Sequence, residues 1–432
     1  MESFNKLVKE KAQEFKQLLG KEEFFRIYSH LDADGISSAT IMIRLLKSQG
    51  KAFQLTIIEQ LTDETIKEIN EKGPPLILLD FGSGQLTNLK KIIKNRQTLI
   101  LDHHQPQGDL KSKNLMHINP CLTGIDGGTN VSASGVTYLF SREFIKDGFN
   151  ASLGAIGAQG DLQNMNSEIN SLIITESTLT ERQDLDIYGL NTRPIHKALE
   201  YSEIIPDLND ETSIVNFLIE INIPLKEGSD WRTINDLTSE EKQRLISNII
   251  VKRGSEDIFT NVHELKIGKK RSLSEWSAVL NACGRMNMPS MGISALLNPS
   301  YEKKIDVVLK EYKNTIAEGL RWFDENKEKH LETNKALFFI GKEMLNYKIV
   351  GTICSIKSMN TDKEFIVGFA DNADNTKVSI RRSTEKGLMA SELASKASQG
   401  LGEGGGHAQA AGATIKKGSE EEFIKRFNEL LK

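Results

Sequence analysis

Ser29-His30-Leu31-Asp32-Ala33-Asp34-Gly35 follows the apolar run Phe24-Phe25-Arg26-Ile27-Tyr28 and precedes Ile36-Ser37-Ser38-Ala39-Thr40-Ile41-Met42-Ile43. The first run predicts a short buried strand. The second predicts the start of a helix that Gly50 closes. One imidazole and two carboxylates therefore crowd a strand-to-helix turn. Carboxylates that close repel each other, and one takes up a proton unless a cation lies between them. The end of a strand in an open α/β sheet is also where such sheets place their sites. A polar turn with an Asp N-cap accounts for the same residues, so this stretch alone leaves both readings open.

Three further stretches favour a site. Leu76-Ile77-Leu78-Leu79 ends in Asp80-Phe81-Gly82, and Thr98-Leu99-Ile100-Leu101 ends in Asp102-His103-His104. Gly154-Ala155-Ile156-Gly157-Ala158-Gln159-Gly160 leads to Asp161. The first two are apolar runs that stop at a metal-ligand residue type, as parallel strands do at a site. The set resembles the DHH phosphoesterase family, named for Asp102-His103-His104. His30-Leu31-Asp32-Ala33-Asp34 matches its first motif, Asp80 its second, and Gly160-Asp161 its fourth.

Oxygen and imidazole donors without thiolate point to Mn²⁺ or Mg²⁺, and the histidines favour Mn²⁺. The resemblance implies two divalent ions side by side. One would take His30, Asp32 and Asp80, the other Asp34, Asp80, His103 and Asp161, with Asp80 between them. Asp102 would orient an imidazole, and His104 would face the scissile phosphate. The chemistry implied is hydrolysis of a phosphodiester by activated water.

At 432 residues the chain is long enough for two or three domains. A net charge of -4 gives no general attraction to nucleic acid, so any such binding needs a local basic groove. Cys121, Cys283 and Cys354 are scattered and odd in number, which suggests a reducing cytoplasm and no thiolate metal site. The N-terminus has no apolar core of a signal peptide, and no run reaches the length of a membrane span.

Residues 4–19 read as a first helix. Strands at 24–29, 53–58, 76–80, 98–102 and 115–118 then alternate with helices at 36–48, 62–71, 85–95 and 132–146. This alternation predicts an α/β domain, residues 1–169, with a parallel sheet covered by helices on both faces. Residues 170–275 read as a helical insertion in which His196 and His263 are ordinary histidines. The basic stretch Lys266-Ile267-Gly268-Lys269-Lys270-Arg271 reads there as a solvated loop ahead of a nucleic-acid contact. Residues 276–333 form a connector with a long amphipathic helix from 301. Residues 334–432 read as a mixed α/β domain with strands at 336–340, 349–353, 364–370, 376–381 and 412–415, and helices at 388–399 and 419–431.

In that last domain Gly404-Gly405-Gly406-His407, followed by Ala408-Gln409-Ala410-Ala411-Gly412, resembles the signature of the domain that accompanies the DHH domain. The glycines would let backbone N–H groups approach an anion. Arg381, Arg382 and Ser383 would add phosphate contacts. Leu280-Asn281-Ala282-Cys283-Gly284-Arg285 resembles a segment of archaeal RecJ-like nucleases, including those that associate with GINS. Asn281 and Arg285 would contact a nucleic-acid backbone or line the site.

The expected function is therefore a RecJ-like, metal-dependent exonuclease that degrades single-stranded DNA or RNA to mononucleotides in DNA replication or repair. GINS and the MCM helicase are the protein partners the resemblance implies, and a membrane is not one. Two alternatives remain: a phosphodiesterase for nanoRNA or cyclic dinucleotides, and a structural cofactor of a replicative helicase. The insertion would either wall the cleft or dock a partner.

Overall fold

The computed structural model describes all residues except 109, 203, 207, 209, 360, 385, 386 and 432. It divides into two units, Met1–Ile305 and Asp306–Lys432. The first unit opens with α1 (Glu2–Leu19), β1 (Phe24–His30), α2 (Ala33–Ser48), β2 (Ala52–Ile58), α3 (Asp63–Glu68), β3 (Leu76–Leu79), α4 (Leu86–Asn95), β4 (Thr98–Leu101), β5 (Leu115–Ile118), α5 (Ala133–Ser141) and α6 (Gly148–Gly160). The five strands form one parallel sheet in the order β2-β1-β3-β4-β5.

The central strands of a parallel sheet are buried on both faces, and β3 and β4 are accordingly short and buried throughout, whereas the edge strand β2 has no fully buried residue. Leu76, Leu78 and Ile100 pack with Ile66 of α3 and Leu86, Leu89 and Ile93 of α4. On the α1 side, Phe25 meets Phe15 with ring centroids 5.6 Å apart, and Phe15 meets Phe140 of α5 at 5.4 Å. The strand order reverses between β1 and β3. A sheet of this kind opens a crevice at that reversal, beyond the carboxyl ends of its strands. His30 ends β1 and Asp80 follows β3, so both stand at the crevice.

The chain continues through α7 (Glu168–Thr175), β6 (Thr180–Leu185), α8 (Ile195–Glu200), α9 (Glu211–Glu220), β7 (Lys226–Glu227), β8 (Asp230–Trp231), α10 (Ser239–Arg253), β9 (Phe259–Ile267) and β10 (Lys269–Ser272). Leu185, Ile214, Phe217, Leu218, Leu245 and Ile249 share a hydrophobic cluster there. The expected helices are present, but an antiparallel sheet, β10-β9-β6, is added to them. Its strand β6, Thr-Glu-Arg-Gln-Asp-Leu, is polar along most of its length and shows no apolar alternation to read. Next come α11 (Leu273–Arg285) and α12 (Pro289–Leu297), and then α13 (Glu302–Glu325), most of whose residues belong to the second unit. The long helix stops at 325, short of 333, because the chain turns at Lys327–Lys329.

The second unit contains β11 (Leu331–Glu332), β12 (Ala336–Ile340), α14 (Tyr347–Met359), β13 (Phe365–Asn372), β14 (Asn375–Arg382), α15 (Ala390–Ser398), β15 (Gly402–Gly406), β16 (Ala410–Lys416) and α16 (Glu420–Leu430). Its mixed sheet runs β11-β12-β13-β14-β16-β15. One expectation fails here, and one segment left unassigned takes a strand. Residues 349–353 are helical, inside α14, where the buried residues Ile349, Val350, Ile353 and Cys354 recur at helical spacing. The glycine run is strand β15, and it pairs with β16 from Gly402↔Ile415 to Gly406↔Ala411.

Candidate metal centre

The centre is assembled from the ends of β1, β3 and β4, the start of α2 and the end of α6. Asp32 caps α2: its Oδ1 accepts from Asp34 N at 3.1 Å and Gly35 N at 3.0 Å. Its Oδ2 is left to face His30 Nδ1 at 2.9 Å. The N-cap role expected of a polar turn therefore takes one oxygen of this carboxylate and leaves the other facing the centre. Asp34 is fully buried against the start of α5. Its Oδ1 accepts from Ser132 Oγ at 2.7 Å and Ser134 N at 2.9 Å, and its Oδ2 accepts from Ala133 N at 2.7 Å.

Asp80 sits between two groups of donors. Its Oδ2 lies 3.3 Å from His30 Nδ1, and its Oδ1 lies 3.4 Å from His103 Nε2. The backbone there is left-handed, with φ 65°. His103 Nδ1 lies 2.8 Å from the Gly127 carbonyl, which only accepts, so this nitrogen carries a proton and Nε2 is the one that a cation could draw on. That Nε2 is 3.3 Å from Asp161 Oδ2, where Asp161 caps the end of α6. Asp102 Oδ1 accepts from His103 N, His104 N and His104 Nδ1, at 2.8, 3.2 and 2.8 Å, while Oδ2 accepts from Ser83 N at 2.9 Å.

The charge balance fits divalent cations. Ligand atoms of His30, Asp32 and Asp80 lie within 4.8 Å of one another, and so do those of Asp34, Asp80 and His103. Asp80 belongs to both groups, and its buried Oδ1 receives no hydrogen bond. Burial, with Asp80 second, raises the Asp34 carboxyl to about 6. Burial, with Asp34 second, holds the Asp161 carboxyl well above the usual range. Burial disfavours charge on His30 and His103, but the carboxylates facing them outweigh it and raise both well above the ordinary histidine value. Burial also works against ionised Asp102, yet His104 and the donors around it lower that carboxyl well below normal. Asp102 is thus a fixed acceptor that orients His104, while His30, Asp32, Asp34, Asp80 and His103 supply donor atoms close enough together to hold metal.

Three family models match the chain: the DHH family N-terminal domain over residues 25–160, a DHH-CID domain over 187–266, and a DHHA1 domain over 333–432. An uncharacterized protein of Methanocaldococcus jannaschii is 32% identical over 450 residues, spanning 100% of this chain and 97% of that one. The chain belongs to the DHH family. Among solved structures, RecJ of Thermus thermophilus in complex with Mn²⁺ superposes with TM-score 0.63 at 17% identity, covering 98% of this chain. This DHH-family chain spans only 54% of that RecJ. CDC45 of Entamoeba histolytica superposes with TM-score 0.69 at 12% identity, covering 98% of each chain. At these identities the likeness is one of fold.

The remaining residues singled out in this DHH-family sequence take varied places. Asn281 Oδ1 accepts from Ala33 N at 3.0 Å, so it caps the first turn of α2 across 248 residues of sequence. Asn281 thereby lies against the His30–Asp34 turn, beside the centre. Arg285 is half-buried in the last turn of α11. His196 pairs with Glu211 and lies against Trp231, ring centroids 4.7 Å apart and tilted by 50°. The basic stretch forms the β9–β10 hairpin, where Lys270 pairs with Glu264 and Arg271 with Glu302.

In the second unit, Arg381 points to α14: Nε donates to Ser355 Oγ at 2.8 Å. Arg382 is buried, with Nε and Nη2 lacking hydrogen bonds, and Ser383 is exposed, its hydroxyl on the Lys363 carbonyl. Gly404 packs under α15, where a Cβ would meet the Ala394 carbonyl at 2.5 Å, whereas nothing lies within 4 Å of a Cβ on Gly405. Gly406 has φ 136°, and His407 N donates to Ala410 O at 2.8 Å. The glycine run is therefore an edge strand that pairs with β16 on one side only.

Sequence reading missed several residues around the centre: Gly127, Ser132, Ser134, Gln163, Ser83, His117 and Asn119. Only Ser132, an N-cap ahead of a helix, left a signal. Gly127 brings its carbonyl to His103 and to Gln163 Nε2 at 3.0 Å, and a Cβ there would lie 1.9 Å from the His103 carbonyl. Gly127→Ala should therefore displace His103 and weaken Mn²⁺ binding about 10–100-fold, the cost common for residues that orient a ligand. Calorimetric titration with Mn²⁺ checks this.

Proposed function

We propose that the protein is a RecJ-like exonuclease that hydrolyses single-stranded DNA or RNA to mononucleotides with two divalent ions, Mn²⁺ ahead of Mg²⁺. The observation that carries this reading is Asp80, shared between two sets of ligand atoms, with a buried oxygen that accepts no hydrogen bond. Ions bound by His30, Asp32 and Asp80, and by Asp34, Asp80, His103 and Asp161, would make water nucleophilic at neutral pH and offset the charge that builds on phosphorus. The likeness in fold to a RecJ solved with Mn²⁺ and with Mg²⁺ supports divalent ions, and the histidines of the donor set favour Mn²⁺.

The side chains divide the remaining work. Asp102 keeps the His104 imidazole with Nδ1 toward itself, so the other ring nitrogen is the one available to the phosphate or the departing oxygen. Arg381, Arg382, Ser383, His407 and the glycines of β15 belong to substrate binding, and phosphate contacts there would make binding weaken as salt rises. Service in DNA replication or repair, with GINS and the MCM helicase as partners, is supported by the likeness to CDC45 in fold over 98% of both chains. A cytoplasmic location is supported by the unpaired state of Cys121, Cys283 and Cys354. No helix among the described residues is long and apolar enough to cross a membrane.

The test is incubation with end-labelled single-stranded DNA and RNA in Mn²⁺, with products resolved by length. Release of mononucleotides from one end of a long strand is expected. Cleavage confined to dinucleotides or cyclic dinucleotides would replace this reading with the small-substrate one. No cleavage in Mn²⁺ or Mg²⁺ would favour a structural role.

A further inference from the structure

Behind the Asp102-His103-His104 turn lies a polar cluster that no part of the proposed chemistry uses. Ser83 and Asn119 are fully buried, and His117 is 9% exposed. Asn119 Nδ2 donates to Ser83 Oγ and to the His104 carbonyl, both at 2.8 Å. Asn119 Oδ1 accepts from Cys121 N at 2.9 Å, which fixes the amide's orientation. Ser83 Oγ lies 2.8 Å from His117 Nε2. Since Ser83 Oγ accepts from Asn119, its own proton is available to His117. Ser83 also grips the other side of the turn, donating its backbone N–H to Asp102 Oδ2 at 2.9 Å.

The cluster ties together the segments that follow β3, β4 and the end of β5. It is costly to build, because buried polar groups gain little net stability over apolar ones and lose heavily if one partner is missing. A satisfied network of this kind fixes geometry more than it adds stability. What it fixes is His104. That residue is held at its N–H and ring Nδ1 by Asp102, and at its carbonyl by Asn119. No atom of the cluster is among the six metal-ligand side chains.

We infer that Ser83, Asn119 and His117 are positioning residues that set the orientation of the His104 imidazole, acting on the reacting phosphate and not on the metal ions. The inference rests on the phosphodiester-cleaving reading above. It predicts that Ser83→Ala, which removes one oxygen, lowers kcat about 10–100-fold, as loss of an orienting partner commonly does, and leaves KM and Mn²⁺ stoichiometry unchanged. In a His104→Ala background the same substitution should add no further loss, because the two residues act as one unit. Asn119→Ala should behave alike; should it fail to fold, Ser83→Ala carries the test.

Loss of Mn²⁺ affinity in step with kcat, or an equal loss in both backgrounds, would overturn the assignment. If the unaltered protein cleaves no phosphodiester, the functional reading fails and ¹⁵N signals of the His104 ring decide the positioning role separately. They should show one Nδ1-protonated form in the unaltered protein and a mixture in Ser83→Ala, with His103 unchanged. A His104 ring unaffected by Ser83→Ala would refute the role.

Discussion

Asp80→Asn should reduce phosphodiester hydrolysis by about a thousand-fold or more, with the fold intact. Asp80 is the one side chain common to both sets of ligand atoms, so its loss removes an anchor from each. Asparagine is the informative replacement. Position 80 has φ 65°, a conformation that asparagine tolerates and that would cost alanine roughly 1–2 kcal/mol. The change also removes a negative charge that raises the carboxyls of Asp34 and Asp161. The thermal midpoint in chelator should therefore stay level or rise while activity disappears. Survival of more than a few per cent of the activity in Mn²⁺ would exclude the shared-carboxylate arrangement.

The second large effect is on stability and depends on both pH and metal. In the metal-free protein the Asp34 carboxyl is raised to about 6, and Asp161 is raised as well. A raised carboxyl means that the folded state binds more protons than the unfolded one between their two pKa values. Stability is then lost as pH climbs through that window. His30 and His103 are also raised, so their contribution is complete below about 6.5 and is lost as pH rises through their folded values.

Asp32 and Asp102 are lowered, and their stabilising share is already in place above about 4. Above that pH all the remaining contributions of the site fall together. Divalent ions reverse the trend, since they bind the deprotonated ligands and bind better as pH rises. The gap in thermal midpoint between Mn²⁺-loaded and chelator-treated protein should widen from pH 5.5 to pH 8, by roughly 1–2 °C for each kcal/mol of linkage in a unit of this size. A gap that stays constant or narrows would mean that these groups do not hold the ions.

Much of this architecture can be read from the chain because chemistry and fold coincide at strand ends. An apolar tetrad such as Leu76–Leu79 has to be a buried strand, and the polar residue that follows it has to emerge at the sheet's edge. Repetition of that pattern places His30, Asp80 and His103 together before any coordinates are known. Other features depend on partners distant in sequence. Asn281 serves Ala33 across the unit, and neither residue signals the pairing.

Ser83, His117 and Asn119 look like ordinary polar residues until the ends of β3, β4 and β5 are brought side by side. The run Ile349-Val350-Gly351-Thr352-Ile353 contains β-branched residues and reads as a strand, but the buried positions extend to Cys354 with helical period, and packing overrides the local preference. The glycine run of β15 defeats propensity in the opposite direction. Gly404 is needed beneath α15, and the strand is held by its pairing with β16.

The central claim is that six side chains hold two ions with Asp80 between them. Anomalous diffraction at the manganese edge, from crystals grown with Mn²⁺, tests it most directly. Two peaks are predicted, one bounded by His30, Asp32 and Asp80, the other by Asp34, Asp80, His103 and Asp161. A single peak, or peaks that Asp80 does not touch, would contradict it.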